Sequence, residues 1–70
     1  MDNEKFLITR DVEDESRETI KEFFGSEKEA WEEFNSIIHD QSVEYRSGRL
    51  SKWQVLRMFN SEGKQIGQES

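Results

Sequence analysis

In 70 residues the chain has no cysteine, no proline, one histidine and four isolated glycines, and no apolar run approaches the roughly 18 residues that would span a bilayer. Each shortage removes a class of function. Without cysteine there is no disulfide to staple a small fold and no thiolate nucleophile. A single histidine leaves zinc with one nitrogen ligand, which makes a structural zinc site improbable. Scattered glycines form neither a phosphate-cradling loop nor a dinucleotide fingerprint, and no nucleophile elbow occurs. No repeat, low-complexity stretch or linker divides the chain, so one domain is expected over residues 1–70, with 1–4 and 69–70 as frayed ends. The N-terminal MDNEKFLI is acidic and lacks a long apolar region. It does not read as a secretion signal, and a cytoplasmic protein is the expectation.

Apolar residues are also sparse. Leu, Ile, Val and Phe together make 16 of 70 residues, about 23%, just above the roughly 20% at which a highly charged chain is expected to stay disordered. Their regular periods argue for a folded domain. Charge, by contrast, is abundant and uneven. The net charge is −6, with 13 Asp/Glu against 5 Lys/Arg in residues 1–40 and 3 against 5 in residues 41–70. Such a chain is repelled by nucleic acid and by anionic membranes, so neither is expected as a direct partner.

The strongest local signal is Ser26–Gln41. Ser26 with Glu29 three residues on forms a capping box. Ala30, Trp31, Phe34, Ile37 and Ile38 then line one side of a 3.6-residue period, with Glu29, Glu32, Glu33, Ser36 and Asp40 on the other. Lys5–Val12 reads as a strand with Phe6 and Ile8 on one face and Leu7 on the other, followed by a polar turn at Glu13–Ser16. In Arg17–Phe24, Ile20, Phe23 and Phe24 also fit helical spacing. The boundary at Gly25–Ser26 and the eight-residue length favour a strand, hairpin-paired with the first and turning Ile20 and Phe24 to the core. Ser42–Leu50 gives a weak strand-and-turn signal around Ser47–Gly48. Lys52–Asn60 alternates with Trp53, Val55 and Phe59 on one side and Leu56 and Met58 on the other. Asn60–Gly63 is a tight turn, and Lys64–Gln68 returns as an edge strand around Ile66.

The expected fold is therefore α+β: β-β-α-β-β, a single small domain with one amphipathic helix packed on one face of an antiparallel sheet. The expected core is Phe6, Ile8, Ile20, Phe24, Trp31, Phe34, Ile38, Trp53, Val55 and Phe59.

No catalytic constellation emerges. His39 falls on the polar flank in line with Lys28, Glu32 and Asn35. Its neighbour Asp40 lies about 100° round the helix, so the pair does not make an oriented base. Asp11, Glu13, Glu15 and Glu22 occupy positions 1, 3, 5 and 12 of a calcium-loop template, but position 6 is Ser16 where the sharp turn wants glycine. No enzyme activity, cofactor or metal is expected. The remaining feature is the acidic stripe Glu29, Glu32, Glu33 and Asp40. Four carboxylates over about 16 Å of helix fall below the charge density of a single DNA strand, one per roughly 3.4 Å. The turn acids Asp11, Glu13, Asp14 and Glu15 would raise that density only if they shared the helix's side, so DNA mimicry depends on their placement. Arg46, Arg49, Lys52, Arg57 and Lys64 beside Tyr45 and Trp53 resemble a single-strand-binding composition, but cross-strand pairing with acids explains them better.

Two functional expectations follow. The first is a non-enzymatic protein-binding module, an acidic inhibitor or modulator of a basic, nucleic-acid-handling protein partner, contacted through Glu29, Glu32, Glu33 and Asp40. By size and charge it is comparable to small accessory proteins of bacteria and phages. The second is a structural or homodimeric protein that associates through the outer sheet face, where strand parity puts Leu7, Phe23, Leu56 and Met58.

Overall fold

Alternation and capping, not length, decide the elements. A computed structural model of the chain describes residues 4–11 and 17–69, which form β1 (Glu4–Asp11), β2 (Arg17–Gly25), α1 (Glu27–Arg46), β3 (Leu56–Phe59) and β4 (Gln65–Glu69). Every strand pairing is antiparallel, and the sheet order is β2-β1-β3-β4. Both β2 and β3 run opposite to β1, so they are parallel to each other. The connection between them carries α1 across one face of the sheet. Among the described residues no helix is long and apolar enough to cross a membrane.

The period-2 pattern of β1 does what its residues dictate: Phe6 and Ile8 are fully buried under α1, and Leu7 lies half-buried on the opposite face. β2 is a strand, as the boundary at Gly25–Ser26 implies, but its register shifts once. Ile8 faces Lys21 and Thr9 faces Thr19, which leaves Ile20 as the extra residue of a β-bulge. The bulge turns both Ile20 and Phe23 toward the core. That is why an i, i+3 spacing typical of helices occurs in a strand. Phe24 is the correction: it pairs with Lys5 on the outer face and is 63% exposed.

α1 begins as its sequence predicts. Ser26 Oγ accepts from Glu29 N–H at 3.2 Å, and Glu29 Oε1 accepts from Ser26 N–H at 3.0 Å. The helix continues past Gln41, however, so Ser42–Arg46, expected as part of a strand and turn, is helical. It stops at a Schellman motif, with Gly48 N–H donating to Tyr45 C=O at 3.2 Å and Arg49 N–H to Glu44 C=O at 3.0 Å. Gly48 supplies the positive φ, +85°, that this cap requires.

β3 shows the main reversal. It has four residues, and Trp53–Val55 lies outside any strand, although Asp11 N–H still donates to Val55 C=O at 2.9 Å. Leu56 and Met58, expected outside, are buried in the core with Phe6, Ile8, Ala30 and Phe34. Trp53, Val55 and Phe59, expected inside, are only half-buried. Arg57 is the physical reason. It shares a strand face with Phe59, and its guanidinium pairs with Asp11 on the outer side of β1, so the alternate residues Leu56 and Met58 must face the helix. Trp53 instead meets Tyr45 edge-on, with ring centroids 5.7 Å apart.

The Asn60–Gly63 turn forms as expected, with Asn60 Oδ1 accepting from the N–H groups of Glu62 and Lys64, both at 3.0 Å. β4 carries a second bulge, at Ile66, between the pairs Met58–Gly67 and Phe59–Gln65. At Gly67 the ring of Trp31 lies so close that a Cβ would come within 2.6 Å of it, so glycine there lets helix and edge strand touch. Glu4 and Glu69, placed by the sequence in loose ends, pair with Gly25 and Leu56. Val12, the Glu13–Ser16 turn and residues 1–3 and 70 lie outside the described residues.

Candidate functional site

Successive helical residues are about 100° apart, which sorts the acids of α1 into two groups. Glu29, Glu33, Asp40 and Glu44 fall within a sector of about 60°, on the flank that overhangs β2. Glu32 lies about 60–120° away from them on the outward side, one turn after Lys28. The four residues singled out from the sequence are therefore not one stripe. Glu29 is committed to the cap, its Oε1 also accepting from Ser26 Oγ at 3.2 Å. Glu33 is 3.4 Å from Lys21 Nζ of β2. Among the described residues, the side chains of Glu32 and Asp40 make no hydrogen bond or ion pair, and both residues are exposed. Glu44, not predicted, pairs with Arg49 at 3.2 Å.

Under this flank the helix and sheet separate. Ala30 and Phe34 fill the space beneath the first half of α1. One turn further on than Ile37, the stripe carries Gln41 instead of an apolar residue. Gln41 is 8% exposed, and its Nε2–H donates to Gln54 C=O at 2.8 Å, tying the segment before β3 to the helix. Beside it opens a cleft of about 280 Å³. Its floor is apolar, from Ile20, Ile37, Leu50 and Leu56, and its rim is charged, from Arg10, Asp40, Glu44 and Arg49. The rim charges are mostly settled internally. Arg10 donates to Glu18 at 2.8 Å and Arg49 to Glu44 at 3.2 Å, which leaves Asp40 as the rim charge with no counter-ion among the described residues. The Nε–H of Arg10 is shielded from solvent and has no acceptor among the described residues.

The other expected features fall elsewhere. Asp11 lies on the outer face of the sheet, held by Arg57 and by Arg17 at 3.2 Å. It does not share the helix's side, and Glu13, Asp14 and Glu15 lie outside the described residues. Glu22 of the calcium-loop template sits 3.7 Å from Lys5 on that same outer face. Of the second-half cations, Arg57 pairs across strands as expected, whereas Arg49 pairs at the end of the helix. His39 is exposed.

The outer face is not the surface predicted. Phe23, Leu56 and Met58 point the other way, into or against the core, because the Ile20 bulge and the polar side of Arg57 reverse the assumed parity. Leu7 is on this face, opposite Phe59, with Phe24 exposed near β2's end. The Arg17 guanidinium stands 5.8 Å above the Phe59 ring, and Thr9 beneath is 5% exposed. Long arginine stems thus cover the middle of a face that no second layer covers among the described residues.

No protein-family model, curated protein or solved structure matches this chain.

Proposed function

We propose that the chain is a non-enzymatic binding module that docks a protein partner with a basic, nucleic-acid-handling surface, and thereby inhibits or modulates it. The observation that carries this reading is the state of the two acids Glu32 and Asp40: exposed, and without a counter-ion among the described residues. Glu29 and Glu33 contribute field but are tied to the cap and to Lys21. The reading does not require duplex mimicry. The flank is more sparsely charged than either strand of DNA, and Asp11 lies across the sheet. The test is a double charge reversal, Glu32→Lys with Asp40→Lys. Capture of the basic partner is expected to be lost while the thermal melt stays at or above the wild-type midpoint, and wild-type capture should weaken steeply as ionic strength rises through about 0.1 M. Undiminished capture by the reversed variant would refute the proposal.

A homodimer is the second reading, favoured by one observation, the 63% exposure of Phe24 beside Leu7 and Phe59. In that case association is insensitive to salt, and Phe24→Lys turns the dimer into a monomer in sedimentation. A wild-type chain that sediments as a monomer at millimolar concentration eliminates it.

A further inference from the structure

We infer that the cleft beneath the second half of α1 receives an arginine side chain from the basic partner; this rests on the docking reading above and names its anchor. Size comes first. A cavity of about 150 Å³ is filled by benzene, and drug-sized ligands occupy about 300–1,000 Å³. At about 280 Å³ the cleft has room for one long side chain. Its chemistry comes second. An apolar floor of Ile20, Ile37, Leu50 and Leu56 under a charged rim fits an aliphatic stem with an ionic head.

The sign of that head follows from the rim. An anion would have to compete with Glu18 for Arg10 and with Glu44 for Arg49, whereas a cation finds Asp40 unclaimed. Arginine suits the place better than lysine because a guanidinium sheds water more easily and grips a carboxylate through two parallel bonds.

The test uses the whole chain, labelled with nitrogen-15 and titrated with a blocked Gly-Arg-Gly peptide and with its norleucine and glutamate counterparts. The arginine peptide is expected to shift the amide signals of Gln41, Leu50 and Leu56. Asp40→Asn should weaken it about tenfold, the loss of one charged hydrogen bond. Ile37→Phe, which fills the cleft without altering charge, should abolish those shifts. Asp40→Asn keeps the test decisive if Ile37→Phe folds poorly. Equal binding of the norleucine peptide, preference for the glutamate peptide, or no shift with any of them would overturn the inference. Shifts confined to the outward acids and unchanged by Ile37→Phe would overturn the cleft while leaving the acidic docking surface standing. Loss of partner capture in the Glu32/Asp40 reversal is scored separately, so failure of the cleft is distinguishable from failure of the docking surface.

Discussion

At Gly67 a missing side chain sets how closely α1 approaches β4. A methyl group there would come within 2.6 Å of the Trp31 ring and 3.3 Å of the Phe34 ring. Gly67→Ala is therefore expected to cost about 1–3 kcal/mol as overpacking. Combined with Trp31→Leu, the pair should cost less than the sum of the single changes, a coupling that urea melts of all four variants would measure. Additive costs would mean that the contact is not close. Arg57 shows how one residue can be decisive and still be passed over. Reading Lys52–Asn60 outward from Trp53 puts the large aromatic residues inside. A lone arginine on the same face as Val55 and Phe59 argues the reverse, and Asp11 is its counter-ion. Asp40 was legible as an acid on a polar flank. Its position at a cleft was not, because Arg10, Ile20, Leu50 and Leu56 come from separate segments that only the fold assembles.

Among the elements, α1 is the most legible at its start, which is written locally. The Ser26–Glu29 box marks the start. The stop was written too, in Gly48, but Val43 and Tyr45 have enough strand propensity to suggest an earlier end. Neither tips the balance against five further helical hydrogen-bonding positions and a good cap. Replacing Gly48 by Ala should cost about 1–2 kcal/mol, the strain of a left-handed backbone on an L-residue, and should fray the last turn around Tyr45. Loss of amide protection confined to residues 43–50 would show this by hydrogen exchange. The cleft beneath that turn should loosen with it. β2 carries a blurred pattern: its bulge imitates helical spacing, and hydrophobic period alone does not separate the two.

For the whole molecule, charge is the property that composition states most directly and structure qualifies most. Six acid–base pairings are distributed over the described surface, most of them well exposed. Exposed pairs contribute about 0–1 kcal/mol each, whereas a net charge of −6 opposes compaction throughout. Moderate salt should therefore raise stability, shifting the urea midpoint upward between 10 and 200 mM sodium chloride, in the opposite sense to its effect on partner binding. A midpoint that falls would mean that the ion pairs dominate. The β-β-α-β-β order was readable because each element carries its own period and boundary. The layer facing water was not, since parity errors in β2 and β3 exchange its residues with those of the core.

The two bulges have a further consequence. Each inserts an isoleucine, Ile20 or Ile66, into an outermost strand, so both rims of the sheet are bent where a straight strand from a neighbouring molecule would have to lie flat. A chain without proline thereby resists templated, rim-to-rim growth into fibres by geometry, and the same isoleucines that kink the rims are anchored against the core, so the bend lasts as long as the native state does.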